Sequence, residues 1–152
     1  MGGHEGGDHS RRHAVSVLLD TAVFMFAAGR EHPLREPSRV VLRAASEGSL
    51  DAVISAEVVQ EILHRFAGGQ RHADGLRLAE AALHLFGPVL SIDHRVMRHT
   101  TELAGRHTSS RARDLVHVAT CLTYDLEAIV SPDEDFDRIG EVRRIAVETM
   151  GG

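Results

Sequence analysis

The amino-acid sequence predicts an α/β fold of three layers, in which helices cover both faces of a short, mainly parallel sheet. Three observations lead to this prediction. Short apolar segments alternate with amphipathic segments of helical periodicity along the chain. Most of these apolar segments are nearly continuous, as expected for strands that are buried on both faces. The length of 152 residues suits one domain with a single core.

The first strand is predicted at 14–19 (AVSVLL), which ends abruptly at Asp20. Asp20 and Thr21 are suited to cap a short helix that ends at Gly29. A second helix is predicted at 37–48, because proline suits the first turn of a helix and glycine its end.

The middle of the chain continues the alternation. A second strand is predicted at 51–55, followed by a helix at 56–66 with Val59, Ile62, Leu63 and Phe66 as its apolar stripe. A helix at 75–86 and a third strand at 89–92 come next. Asp93 then caps a helix that runs to about Arg106.

The last third contains the strongest helical pattern, at 111–126. A strand at 128–130 follows it, and a last edge strand is predicted at 142–147. Residues 1–13 are rich in Gly, His and Arg and show no apolar periodicity, so we interpret them as a flexible N-terminal head. The folded domain is therefore predicted at 14–150.

Composition excludes several classes of protein. The single cysteine, Cys121, leaves no intramolecular disulfide and no cysteine-rich zinc site. No apolar run approaches the ~20 residues that span a bilayer, and 1–13 is not a signal peptide, so we expect no membrane partner and a cytoplasmic location. The net charge of −5 disfavours a protein that coats DNA, but a metal-dependent nuclease has an acidic site and fits it.

Four carboxylates lie beside apolar elements rather than on obvious solvent faces. Asp20 follows the first strand, Glu61 lies inside the 56–66 helix, Asp114 lies in the first turn of the strongest helix, and Asp133 follows the 128–130 strand. The carboxyl ends of parallel strands are where ligands collect in such folds. Converging carboxylates repel one another unless a cation lies between them, and Mg²⁺ or Mn²⁺ takes oxygen ligands.

Each of these acids also has a simpler interpretation. Asp20 is an ordinary N-cap residue, and Asp114 is favoured at a helix start by the macrodipole. Glu61 is suited to a solvated ion pair with Arg65, four residues along the helix. The acidic run after Asp133 reads equally as a polar turn. None of these signals is specific when taken alone.

Taken in order, four motifs that fall in three stretches of the chain resemble the PIN-domain ribonucleases, and within them the VapC-like toxins of bacterial toxin–antitoxin pairs. The matching stretches are LLDTAVFMFAAG (18–29), SAEVVQEILHRF (55–66) and ARDLVHVATCLTYDLEAIVSPDEDFDRI (112–139), which together carry all four acids. The parts RDLVHVATCL and SPDEDFDRI are the most specific. The resemblance covers roughly 15–147 and implies a PIN-like fold.

The resemblance also implies a site. Asp20, Glu61, Asp114 and Asp133 match the metal-binding acids of the family, with Mg²⁺ as the cofactor and Mn²⁺ as an alternative. Supporting roles fall to Ser131, in the T/S-x-D turn, to Thr21 and to Asp135. His117 is interpreted as a structural residue, and the spacing of the eleven histidines does not predict a zinc site.

The implied function is metal-dependent hydrolysis of RNA phosphodiester bonds by the toxin of a toxin–antitoxin pair. The implied partners are RNA, a cognate antitoxin protein and a second copy of the chain. The alternative is a non-catalytic PIN-like module that binds RNA or protein. Phe24, Met25 and Phe26 are interpreted as core, and the resemblance adds the alternative that this region meets the antitoxin or the second copy.

Overall fold

The computed structural model describes residues 16–150, so the predicted head at 1–13 lies outside the described residues. The elements, in chain order, are β1 (Ser16–Leu19), α1 (Thr21–Ala28), α2 (Arg35–Ser46), β2 (Asp51–Val53), α3 (Ala56–Phe66), α4 (His72–Phe86), α5 (His94–Arg106), α6 (Ala112–Thr123), β3 (Ala128–Val130), a 3-10 helix (Glu134–Arg138), β4 (Arg143–Ile145) and α7 (Val147–Met150). None of these helices is long and apolar enough to cross a membrane.

The four strands form one parallel sheet in the order β2-β1-β3-β4. Leu18 pairs with Val53 on one side and with Ile129 on the other, so β1 is central. The carboxyl ends of β1 and β3 therefore lie side by side. This arrangement confirms the parallel sheet and the edge position predicted for β4.

Helices cover both faces of the sheet, which confirms the three-layer fold. Val17 and Leu19 of β1 face one apolar cluster, to which α1, α2, α3 and α4 contribute. Leu18 points to the other face, because successive side chains of a strand alternate, and packs with residues of α5, α6 and the 3-10 helix. Phe24 is buried in the first cluster, as predicted, whereas Met25 and Phe26 are only partly buried.

The predicted third strand at 89–92 is wrong. Leu90 alone makes a parallel bridge, in which its N–H donates to Ile54 and its carbonyl accepts from Ala56. The carbonyl of the next residue, Ser91, accepts from the hydroxyl of Tyr124 at 2.7 Å. Val89 packs against the first apolar cluster and Ile92 against the second, and a pattern of apolar residues does not distinguish such packing from a strand.

The predicted C-terminal end of the strongest helix is also wrong. Helix α6 ends at Thr123 rather than at 126. Asp125 has a φ of 54°, and the N–H of Leu126 donates to the carbonyl of Cys121 at 2.9 Å. This left-handed residue closes the last turn and directs the chain into β3.

Candidate metal site at the carboxyl ends of the strands

Asp20 and Ser131 follow the two central strands directly. The N–H of Asp20 donates to the carbonyl of Val130 at 3.1 Å, so the last residue pairing of the sheet fixes the position of Asp20. The hydroxyl of Ser131 donates to Asp20 Oδ2 at 2.7 Å. Asp20 occupies the N-cap position of α1, but its side chain makes no capping hydrogen bond there, so capping alone does not explain this acid.

The turn after β3 carries the second acid. The N–H of Asp133 donates to Ser131 Oγ at 3.0 Å, so a single hydroxyl contacts both Asp20 and the turn. Asp133 Oδ1 accepts from the N–H of Asp135 at 2.9 Å and caps the 3-10 helix. Asp137 lies outside this cluster, because it forms an exposed ion pair with Arg144 at 2.9 Å.

Asp114 lies in the first turn of α6 and is only 8% exposed. One carboxylate oxygen each from Asp114, Asp133 and Asp135 lies within 4.8 Å of the others. Burial raises the pKa of Asp114, and the nearby charges of Asp133 and Asp20 raise it further. The macrodipole of α6 is therefore not a sufficient explanation for this acid, because Asp114 faces other carboxylates rather than solvent.

Glu61 is buried on the inward face of α3, beside Val58 and Ile62. The predicted apolar stripe is thus partly wrong, since Leu63 is 40% exposed and Glu61 takes an inward position. The predicted ion pair with Arg65 does not form in the described residues; Glu61 Oε1 lies 3.1 Å from His117 Nε2 instead. Glu61 therefore points towards α6 and the sheet.

His117 contacts two of the candidate acids, which the sequence reasoning did not predict. It is fully buried, and its Nε2 lies between Glu61 Oε1 and Asp20 Oδ1, the latter at 3.6 Å. It lies three residues after Asp114, and therefore on the same face of α6. That spacing was the available signal, because a histidine one turn after a candidate ligand faces the same site.

His117, Glu61 and Asp20 shift one another's pKa values. Burial alone lowers the pKa of His117, but its hydrogen bond with Glu61 and the charges of Asp20 and Glu61 outweigh burial and raise it. Burial alone raises the pKa of Glu61, but the hydrogen bond with His117 and the charges of His117 and Arg113 lower it overall. Glu61 is thus held as a carboxylate, which accepts a hydrogen bond from the histidine.

Asp20 is an acid whose pKa stays raised despite its hydrogen bond and the nearby histidine. Burial raises its pKa, and neither His117 nor the hydrogen bond from Ser131 fully offsets that effect. Two acids with raised pKa values, Asp20 and Asp114, therefore lie next to Asp133. A set of carboxylate oxygens that repel one another in a partly buried place fits a hard divalent cation.

Comparison with known proteins identifies the family. A family model described as "PIN domain" matches residues 17–142. The chain belongs to the PIN-domain family. The PIN domain spans every element from β1 to the 3-10 helix, and all four candidate acids lie within it.

Within the PIN-domain family, the chain belongs to the VapC group. It is 38% identical over 108 residues to "Ribonuclease VapC23" of Mycobacterium tuberculosis, a match that covers 69% of this chain and 82% of the relative. It is 30% identical over 139 residues to "Ribonuclease VapC7" of the same organism, which covers 89% of this chain and 94% of the relative.

Solved structures share the PIN fold. VapBC2 from Rickettsia felis, bound to a promoter DNA fragment, has a chain that superposes with a TM-score of 0.71 at 14% identity, covering 87% of this chain and 98% of that one. FitAcB from Neisseria gonorrhoeae gives a TM-score of 0.68 at 24% identity, covering 86% and 97%. At these identities the similarity supports the fold.

Proposed function

We propose that this PIN domain is a metal-dependent endoribonuclease that hydrolyses RNA phosphodiester bonds and acts as the toxin of a toxin–antitoxin pair. Its curated relatives are named VapC ribonucleases, and its structural neighbours are toxin–antitoxin complexes. A cognate antitoxin and a second copy of the chain are its proposed protein partners. RNA is favoured over DNA by the names of the relatives.

The observation that carries this proposal is that acids from separate elements come together: Asp114, Asp133 and Asp135 offer oxygens within 4.8 Å of one another, and His117 joins Asp20 to Glu61. Asp20 comes from the end of β1, Glu61 from α3, Asp114 from α6 and Asp133 from the turn after β3. All are at least partly buried, and no two belong to the same helix or strand. Such a cluster costs stability through mutual repulsion, so a ligand that offsets the repulsion is the simplest explanation for it.

The residues divide into direct ligands and residues that orient them. Asp114, Asp133 and Asp20 are the proposed ligands of Mg²⁺ or Mn²⁺, with Glu61 contributing directly or through water. When bound, the cation would neutralise charge on the phosphodiester and lower the pKa of a water molecule. The hydroxyl of Ser131 donates to Asp20 and fixes its rotamer. The carboxylate of Asp133 accepts from the N–H of Asp135 and so fixes the position of that residue.

Hydrolysis of this kind leaves a 5′-phosphate and a 3′-hydroxyl and requires no protein nucleophile. The test is cleavage of a structured RNA by the wild-type chain with Mg²⁺, by the same chain with EDTA, and by the Asp20→Asn variant with Mg²⁺. We expect cleavage only in the first case. Equal cleavage in all three would contradict the proposal, and Mn²⁺ titration without any binding would instead favour a non-catalytic module.

A further inference from the structure

Two cavities reach the acid cluster formed by Asp114, Asp133 and Asp135, and they share no lining residue. The wide one, of about 750 Å³, reaches the cluster at Pro132 and Asp133. The narrow one, of about 220 Å³, reaches it at Asp114 and Asp135. A polymer bound at the cluster therefore has access to both cavities.

The wide cavity has the dimensions and walls of a nucleoside site. Its volume falls within the range of about 300 to 1,000 Å³ that is usual for small-molecule sites. The rings of Phe26 and His32 lie 4.7 Å apart at an angle of 37° on its wall, next to Met25 and Leu34. Phe26 is half-buried and His32 is exposed, so the pair offers a supported aromatic surface on which a base can stack.

Arginines surround this aromatic surface. Arg30, Arg65 and Arg71 all line the wide cavity. Asp74 accepts from Arg71 Nε at 3.2 Å, while the Arg71 guanidinium also lies 5.3 Å from the centre of the Phe66 ring. Arg65 is exposed, so its guanidinium can reach a phosphate at the rim.

The narrow cavity has a different composition. It is lined by Ser109, Ser110, Arg111 and Arg138 together with the two acids of the cluster, and its volume is too small for a nucleoside site of the usual size. Guanidinium and hydroxyl groups are the usual donors to phosphate oxygens. The narrow cavity thus matches a single phosphate group rather than a base.

We propose that an unpaired RNA strand crosses the acid cluster with a base stacked on Phe26 and His32 in the wide cavity and a phosphate bound by Arg111 and Arg138 in the narrow one. A base must leave a duplex to reach such a surface, so the contact with Phe26 and His32 requires an unpaired nucleotide. The assignment rests on the proposed function for the identity of the polymer. It adds that recognition needs nucleotides on both sides of the scissile bond.

The test measures binding in EDTA, where metal-dependent cleavage does not occur. Fluorescence anisotropy reports the Kd of a short fluorescein-labelled single-stranded RNA as a function of salt concentration. The variants are Phe26→Leu, His32→Ala, Arg65→Ala and Arg111→Ala. Arg98→Ala, an exposed arginine of α5 beside a cavity that shares no residue with the site, is the matched control.

The two kinds of variant have different expected signatures. Loss of stacking in Phe26→Leu raises the Kd roughly fivefold to a hundredfold with an unchanged salt slope. Each arginine variant reduces the slope of log Kd against log salt by about 0.7, because one phosphate contact is lost. His32→Ala, whose side chain is exposed, repeats the Phe26 signature in a protein that retains its fold. The control changes neither quantity.

Three results would overturn the assignment. They are an unchanged RNA Kd in all four variants, equally tight binding of a duplex of the same sequence, or variants that lose only the binding of a protein partner. The last result would identify the wide cavity as a protein-docking site. Binding is measured without metal. A failure of Mg²⁺-dependent cleavage would therefore contradict the proposed function without changing the RNA Kd values that test this assignment.

Discussion

His117 Nε2 lies 3.1 Å from Glu61 Oε1 and 3.6 Å from Asp20 Oδ1, in a side chain that is 1% exposed. One buried imidazole therefore connects α6, α3 and the end of β1. Glu61 and Asp20 together raise the pKa of this imidazole despite its burial. The contact with His117 lowers the pKa of Glu61, whereas burial keeps the pKa of Asp20 raised.

We expect the stability of the metal-free protein to depend on the protonation of His117. Its folded pKa is raised, so its stabilisation is fully present below the unfolded pKa of about 6.5 and is lost as pH rises through the higher folded pKa. In EDTA, the Tm of the wild type falls over that window. His117→Gln has a lower Tm at acidic pH and lacks this fall. The exposed His84→Gln control retains it, and a fall of equal size in both variants would contradict the role of His117.

Asp114→Asn is expected to stabilise the metal-free protein. The raised pKa of Asp114 means that its ionisation costs folding stability at neutral pH, and asparagine removes that charge. A gain of about 1 kcal/mol would raise the Tm in EDTA by roughly 2–4 °C for a chain of this size. Mn²⁺ titration should show a loss of binding in the same variant. The exposed Glu80→Gln serves as control, and a lower Tm in Asp114→Asn would contradict the argument.

Ser131→Ala is expected to reduce both stability and cleavage. The hydroxyl is buried, donates to Asp20 and accepts from the N–H of Asp133, so its removal leaves two polar groups without their partner. We expect a loss of about 1–3 kcal/mol in the free energy of unfolding. Ser131→Thr retains the hydroxyl and should restore cleavage. Denaturant unfolding and RNA cleavage are measured for both variants. Equal stability and equal cleavage in the alanine and threonine variants would contradict this account.

Cys121 provides a probe of how the metal holds α6. Its thiol is fully buried, and burial raises its pKa to about 12, so it should resist thiol reagents in the native state. Labelling then reports opening of the helix that also carries Asp114. We expect Mn²⁺ to slow labelling in the wild type but not in Asp114→Asn. Rapid labelling of the native protein, or an equal effect of Mn²⁺ on both, would contradict the connection.

Much of the fold follows from local patterns. Helix α3 and strand β3 have the predicted bounds, because a 3.6-residue apolar repeat and a short continuous apolar run are each bounded by clear turn residues. Asp20 and Asp133 were singled out for a topological reason, since polar residues after parallel strands meet at one edge of the sheet. Glu61 and Asp114 stood out only because they lie among apolar helix residues, and the family resemblance is what grouped them with the other two.

The features that the sequence did not predict depend on tertiary contacts. The apolar residues of α3 permit two neighbouring stripes, and its packing against the sheet and α6 selects the one that includes Glu61 rather than Leu63. The contact between Glu61 and His117 joins residues 56 positions apart, so no local pattern contains it. Leu90 belongs to an apolar run that predicts a strand, yet in the described residues it makes only one isolated parallel bridge, with Ser55.

The central claim is that the four acids support metal-dependent hydrolysis of RNA. The most direct measurement is the end chemistry of the products after cleavage in heavy-oxygen water, read by mass spectrometry. We predict a 5′-phosphate that carries one heavy oxygen and a 3′-hydroxyl, formed with Mg²⁺ and absent with EDTA or in Asp20→Asn. A 2′,3′-cyclic phosphate without heavy oxygen, formed equally in EDTA, would contradict the account.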